Sequence, residues 1–225
     1  MQLNCIDRYL YYENSLGKLY NGDVLEVLKL IPDESVHCTV TSPPYWALRD
    51  YEVEGQIGLE ETFSEYISRL LNIFREVYRI LKLQGTLWLN IADTYYGNRK
   101  TGNFSYPSKC LCMVPERLAM AMIEDGWILR NKIIWYKTNG IPESVKDRFT
   151  KSYEYIYFFV KSEKYYFKQQ FEPVKESSIK RLQRAYSNTS NLLYSQRRYQ
   201  KFALTQDVLQ AELFSIHLWE VVLQQ

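Results

Sequence analysis

Glycine is scarce in this chain, with nine among 225 residues and none after Gly140. The stretch beyond it therefore holds no loop of the glycine-rich kind that lets backbone approach a ligand closely. Cysteine is scarcer still. Cys5, Cys38, Cys110 and Cys112 are too few and too scattered for a disulfide framework. Cys110 and Cys112, with only His37 and His217 elsewhere, have poor zinc spacing and read as buried thiols. No apolar run approaches the roughly 20 residues needed to span a bilayer. Met1–Arg8 has neither a basic start nor an apolar signal segment, so the expected compartment is cytoplasmic and no membrane partner is expected.

What the chain does have is apolar and aromatic mass: 46% hydrophobic and 16% aromatic residues, ample for a packed core. Thr41-Ser42-Pro43-Pro44-Tyr45-Trp46 is its most informative stretch. It follows a β-branched run, Val36–Thr41, that reads as a buried strand. Two prolines cannot donate backbone hydrogen bonds, so the strand stops there and the carbonyls of Ser42 and Pro43 are expected to face outward. A hydroxyl, rigid acceptors and an aromatic face then meet at the carboxyl end of a strand, where open α/β sheets bind ligands. Such a cluster suits a planar amine. A turn that merely caps a strand would use the same residues.

Strand and helix alternate along the chain. Lys18–Gly22 reads as a short strand ending at Asp23, which caps a helix over Val24–Leu30. Thr62-Phe63-Ser64-Glu65 is a capping box, and Phe63, Tyr66, Ile67, Leu70, Phe74, Val77, Tyr78 and Leu81 mark one helical face. Gly85 is expected to stop that helix before a buried strand, Thr86–Ala92. Pro115 opens a helix that Gly126 closes. Trp127–Tyr136 and Tyr153–Val160 read as further strands. Strands separated by helices predict a parallel, helix-covered sheet.

Net charge is only +2, but it is unevenly spread. Ten cations between Lys161 and Lys201 face three carboxylates, so this stretch carries +7 and the remainder −5. Seven aromatics are interleaved with them. Cations neutralise phosphates and aromatics stack on bases, so a nucleic-acid surface is one reading and a solvated basic face the other.

Gly22-Asp23, the Thr41–Trp46 stretch, Gly58-Leu59-Glu60 and Trp135–Ser144 with Arg148 occur in an order that resembles a known family. It is that of the N4-cytosine and N6-adenine DNA amino-methyltransferases, in the permuted group whose catalytic half comes first. The resemblance covers about Tyr20 to Lys161. Serine before Pro-Pro-Tyr is similar to the cytosine-N4 enzymes; aspartate there is commoner in adenine-N6 enzymes. The implied fold is α/β: a Rossmann-like sheet typical of S-adenosylmethionine-dependent methyltransferases, with helices on both faces. A catalytic domain is expected over 1–161 and a basic recognition region over 162–225.

The resemblance also implies roles. Ser42, Pro43, Pro44 and Tyr45 would be catalytic, the first two holding the target amine and Tyr45 stacking on the base. Asp23, Gly58, Leu59 and Glu60 would contact S-adenosylmethionine. Trp46, Trp135, Lys137, Asn139, Ser144 and Arg148 would belong to the base pocket or the DNA surface, with Lys180, Arg181, Arg184, Arg197 and Arg198 on the DNA. An exocyclic amine is a poor nucleophile because its lone pair is delocalised into the ring. Hydrogen bonds that favour a tetrahedral nitrogen localise that pair for in-line attack on the sulfonium methyl. The base must first leave the duplex. Carbon-5 cytosine chemistry needs a nucleophilic cysteine after proline, and no cysteine here follows one.

One departure stands out. Members of the permuted group carry a Phe-x-Gly-x-Gly segment that cradles the methionine part of the cofactor, and this chain has none. The fold is therefore expected to be incomplete at its C-terminus, with the strand before Ser42 left unpaired on one edge, an aggregation hazard. Either the product is truncated or a second chain supplies the loop. Double-stranded DNA is the expected partner, together with a cognate restriction endonuclease if the chain serves a restriction system. The alternatives are an adenine-N6 enzyme with a serine variant motif, or a nucleic-acid binding module without activity.

Overall fold

The computed structural model describes residues 5–97, 106–140, 143–169, 177–178 and 215–218. The strands are β1 (Leu10–Asn14), β2 (Gly17–Tyr20), β3 (Val36–Thr41), β4 (Leu81–Ile91), β5 (Ile128–Tyr136), β6 (Tyr153–Val160) and β7 (Ser215–Leu218). The helices are α1 (Val24–Lys29), α2 (Phe63–Ile80) and α3 (Val114–Glu124). The chain forms two compact units, residues 1–166 with 213–225, and residues 167–212.

β1 and β2 form an antiparallel hairpin of their own. The strand expected before Asp23 is thus part of a separate two-stranded ribbon, not of the main sheet. That sheet has five strands in the order β5-β6-β4-β3-β7. β3 runs parallel to β4 and β7, whereas β6 runs antiparallel to β4 and β5. The expected all-parallel sheet is corrected to a mixed one. Among the described residues no helix intervenes between β5 and β6, and the chain returns antiparallel beside itself. The second edge of β3 is occupied by β7, which corrects the expectation of an unpaired edge there.

Leu87, Leu89 and Ile91 of β4 and Tyr157 and Phe159 of β6 point to one face, where they are almost fully buried. α2 lays Tyr66, Leu70, Phe74 and Val77 on that face, joined by Leu28 of α1 and Leu118 of α3 in one core. Each such side chain contributes about 1.5–3 kcal/mol through its burial. The expected capping box is present: Thr62 Oγ1 accepts from the Glu65 amide and Glu65 returns to the Thr62 amide. The helices α1, α2 and α3 all contribute to this one core, on a single face of the sheet.

α2 passes directly into β4, so Gly85 does not stop the helix. Val36 pairs with Leu81 and Cys38 with Thr86, which makes Lys82–Gly85 a bulge within β4. A Cβ at Gly85 would lie 2.9 Å from the Lys82 carbonyl and 3.2 Å from that of His37, space only glycine leaves free. Among the described residues no helix is long and apolar enough to cross a membrane.

Candidate active site

β3 and β4 lie side by side and parallel, and they end together. Thr41 pairs with Leu89, so Ser42 and Asn90 emerge at the same level. The two prolines then turn the chain back over the sheet. The Pro44 carbonyl accepts from the buried Tyr66 hydroxyl of α2 at 2.8 Å, and the Ala47 amide donates to the Gly58 carbonyl at 2.8 Å. Gly58 has φ +97, and a Cβ there would lie 3.0 Å from the Tyr45 carbonyl. The turn is therefore held from below by a helix and from the side by a glycine.

The held turn brings two hydroxyls to one amide. Tyr45 Oη lies 2.9 Å from Asn90 Oδ1, and Ser42 Oγ lies 3.3 Å from both. Asn90 Nδ2 donates to the Tyr155 carbonyl at 3.1 Å. A carbonyl can only accept, so the amide nitrogen must face Tyr155 and the amide oxygen must face the two hydroxyls. Tyr45 Oη also lies 3.1 Å from Glu154 Oε2, while Glu154 Oε1 pairs with Lys137. Burial, followed by the charge and hydrogen bond of Glu154, pushes the Tyr45 hydroxyl well above the usual phenol range, although its Ser42 contact works the other way. This phenol stays protonated at physiological pH.

Beside Glu154 opens a cavity of about 500 Å³ bordered by Asp93, Tyr95, Glu116, Lys132, Arg148 and Tyr153. Asp93 accepts from the Thr94, Met113 and Val114 amides, so it holds the start of α3 to the end of β4. Burial raises its carboxyl above the ordinary range despite those bonds. Lys132 Nζ sits 3.7 Å from the Tyr155 ring centre and pairs with Glu116. The arrangement offers acceptors, aromatic faces and cations within one depression.

The expected site residues part company here. Ser42, Pro43, Pro44 and Tyr45 share one turn, and Lys137 joins them through Glu154. Arg148 pairs with Glu143 at 2.6 Å and covers the Tyr95 ring at 4.2 Å on the cavity rim. Trp135 is half-exposed on edge strand β5, and Asn139 and Ser144 are exposed in the following loop. Trp46 is corrected: it is 2% exposed, packs edge-on to Phe63 and Tyr96, and donates to the Glu60 carbonyl at 3.0 Å. A buried indole cannot touch a base. Glu60 Oε2 accepts from the Gly58 amide at 2.8 Å and Oε1 pairs with Arg69 at 3.2 Å. Leu59 is exposed. Asp23 caps α1 through Oδ1, which accepts from Leu25 and Glu26, and its Oδ2 has no partner among the described residues. Lys180, Arg181, Arg184, Arg197 and Arg198 lie outside the described residues.

Asn90, Glu154 and Tyr66 were not anticipated. Asn90 had a visible signal, being the one amide in the apolar run Leu87–Ile91. Glu154 is likewise a lone carboxylate in an aromatic strand. Among the described residues no group of histidine, cysteine and carboxylate side chains could hold a metal.

A family model described as DNA methylase matches residues 36–216. The chain is 48% identical over 155 residues to the type II methyltransferase M.SfiI of Streptomyces fimbriatus, a match covering 66% of this chain and 37% of the relative. It is 45% identical over 176 residues to the type II methyltransferase M.Cfr9I of Citrobacter freundii, covering 70% and 58%. The chain thus spans between about a third and three-fifths of the length of these relatives. Its fold is similar to that of the PvuII DNA methyltransferase (cytosine-N4-specific), with a TM-score of 0.53 at 23% identity, covering 67% of this chain and 51% of that one.

Proposed function

Because the chain belongs to the DNA methylase family matched over residues 36–216, we propose that it carries the catalytic part of a type II DNA methyltransferase acting on the exocyclic N4 amine of a cytosine. The methyl donor in this reading is S-adenosylmethionine, and the target is double-stranded DNA in a restriction-modification setting. The observation that carries it is the convergence of Ser42 and Tyr45 on Asn90 at the carboxyl ends of β3 and β4.

Ser42 Oγ and the carbonyl of Pro43 accept from the target amine. Two acceptors on one N–H₂ group favour a tetrahedral nitrogen and localise its lone pair, so a strong base is not required. Tyr45 offers its ring as a stacking face for a base that has left the duplex. The rigid turn fixes these groups in advance, which lowers the entropy to be lost on reaching the reactive geometry. Serine rather than aspartate before Pro-Pro-Tyr supports cytosine over adenine.

The cofactor fits these residues only in part. Asp23 Oδ2 is available to an adenosine hydroxyl or amine, and Glu60 holds the Gly58 loop through both its oxygens while each keeps a further lone pair. No Phe-x-Gly-x-Gly segment occurs in the sequence to cradle the methionine part. When bound, the cofactor supplies the electrophilic methyl group; a second chain bearing such a loop would complete its cradle.

Expression in a methylation-free bacterial host, followed by mass spectrometry of the host's nucleosides, tests the reading. N4-methylcytosine is the expected product. N6-methyladenine would move the target to adenine, and neither would remove the proposed activity from this chain.

A further inference from the structure

Phe149 is 97% exposed, more than any other large apolar side chain among the described residues. Its backbone is nevertheless held in place. Arg148 donates to the Phe149 carbonyl at 3.1 Å and lies 4.2 Å from the Tyr95 ring centre. Lys151 donates to the Asp93 carbonyl at 2.6 Å, and Asp147 pairs with Lys109. The short segment 147–151 is thus tied down on both sides of a phenyl ring that itself packs against almost nothing. Burying that ring would have added stability, so folding supplies no reason for its placement.

The surroundings indicate what the ring meets. Phe149 borders the cavity that also has Glu154 in its wall, and Glu154 Oε2 lies 3.1 Å from Tyr45 Oη. The ring therefore stands at the rim of the depression beside the stacking face of Tyr45. Lys146, three residues before it, is exposed and offers a cation of the kind that neutralises a backbone phosphate. We propose that Phe149 is a wedge that enters the DNA duplex and takes the stacking place of the base that has left it. The wedge rests on the base-leaving step of the proposed function. A base that swings out leaves both its neighbours with an unstacked face, and apolar side chains fill such gaps in opened or kinked duplexes. A ring makes no hydrogen bonds there, and one already held in place loses little freedom on insertion. A ring lying over the cavity as a second stacking face would be covered on one side by the cavity walls. At 97% exposure Phe149 is not.

Fluorescence anisotropy with two labelled duplexes tests the wedge without methylation. One duplex carries an abasic site, a permanent gap in the stack of one strand. The other is intact and otherwise has the same sequence. Phe149→Ala should weaken binding to the gapped duplex by about tenfold or more, as losing an aromatic stack on a base does, and leave binding to the intact duplex within about twofold. The melting curve should stay in place, because the side chain removed is exposed. Equal losses on both duplexes would make Phe149 part of a general contact surface, and no loss on either would make it idle. Both results would overturn the wedge.

Phe149→Trp adds a direct readout. It should keep the affinity for the gapped duplex, and its added emission, taken as the difference from the unaltered chain, should be quenched by the gapped duplex and not by the intact one. An emission indifferent to the gap would overturn the wedge. The proposed function fails by a different result. A chain that makes no N4-methylcytosine but loses gap binding in Phe149→Ala would refute that function and leave the wedge standing. A chain that makes N4-methylcytosine while Phe149→Ala leaves gap binding unmoved would refute the wedge alone.

Discussion

The hydroxyl of Tyr66 donates to the carbonyl of Pro44 at 2.8 Å, from a side chain with no exposure to solvent. The long helix α2 thereby reaches through the core to hold the second proline of the turn. Tyr66→Phe keeps the ring and removes the bond, leaving a carbonyl without its partner in a partly buried place. The cost should be about 1–2 kcal/mol. Urea unfolding should show a lower midpoint with an unchanged slope. A midpoint equal to that of the unaltered chain would mean the turn is held by its prolines alone.

Gly58 supports the same turn from the other side. Its φ of +97 is costly for any other residue, and an added methyl would meet the Tyr45 carbonyl at 3.0 Å. Gly58→Ala should destabilise the chain by about 1–3 kcal/mol through backbone strain and displacement of the turn. Thermal unfolding measures the first effect. Loss of turnover beyond the loss of folded protein measures the second, since Tyr45 sits on the displaced segment.

The sequence pattern made the strands and helices around the site legible because the signals there are local. Proline pairs end strands, a Thr-x-x-Glu box opens a helix, and an apolar face at helical spacing must be buried. Pairing partners were not legible. Nothing between Gly17 and Tyr20 says that this strand joins a hairpin rather than the main sheet. Nothing in Ser215–Leu218 announces that it lies beside β3, far back along the chain. The site followed the same division. Ser42 and Tyr45 were readable from the turn that carries them, whereas Asn90 and Glu154 come from strands that only the folded sheet brings alongside. Trp46 misled because a large aromatic beside a reactive turn looks the same in sequence whether it faces the site or the core.

Asp23 has two roles that substitution separates. Asparagine is as good a helix cap as aspartate, so Asp23→Asn should leave stability nearly unchanged, while Asp23→Ala should cost about 1 kcal/mol. If the free Oδ2 receives the adenosine part of the cofactor, both variants should weaken S-adenosylmethionine binding in calorimetric titration, the asparagine without any loss of fold. Cofactor binding indifferent to Asp23→Asn would confine this residue to capping α1.

The basic stretch from Lys161 to Lys201 predicts a steep salt dependence of DNA affinity, with a slope near about −0.9 for every phosphate neutralised. Replacing Arg197 and Arg198 by alanine should flatten that slope by about one to two, according to whether one or both arginines neutralise a phosphate. Fluorescence anisotropy with a labelled duplex at graded salt reads it directly. A slope unmoved by both changes would assign the two arginines to solvent.

Ser42→Ala isolates the serine's part in the proposed chemistry. The substitution removes one acceptor for the amine but leaves the Tyr45 ring, the Asn90–Tyr155 bond and the proline turn intact, because none of them depends on Oγ. DNA affinity should therefore hold, since it comes from phosphate contacts elsewhere and from stacking. The chemical step should not. Removing one preorganised hydrogen-bonding group from a site where charge develops typically costs about 10²–10³ in rate. Single-turnover methylation by the complete enzyme should fall by that order while the binding isotherm is unchanged. Restoration by Ser42→Thr, whose hydroxyl can reach the same position, would show that the oxygen and not the small volume matters. Undiminished single-turnover methylation in Ser42→Ala would remove the serine from the reaction and leave the Pro43 carbonyl as the remaining candidate to hold the amine.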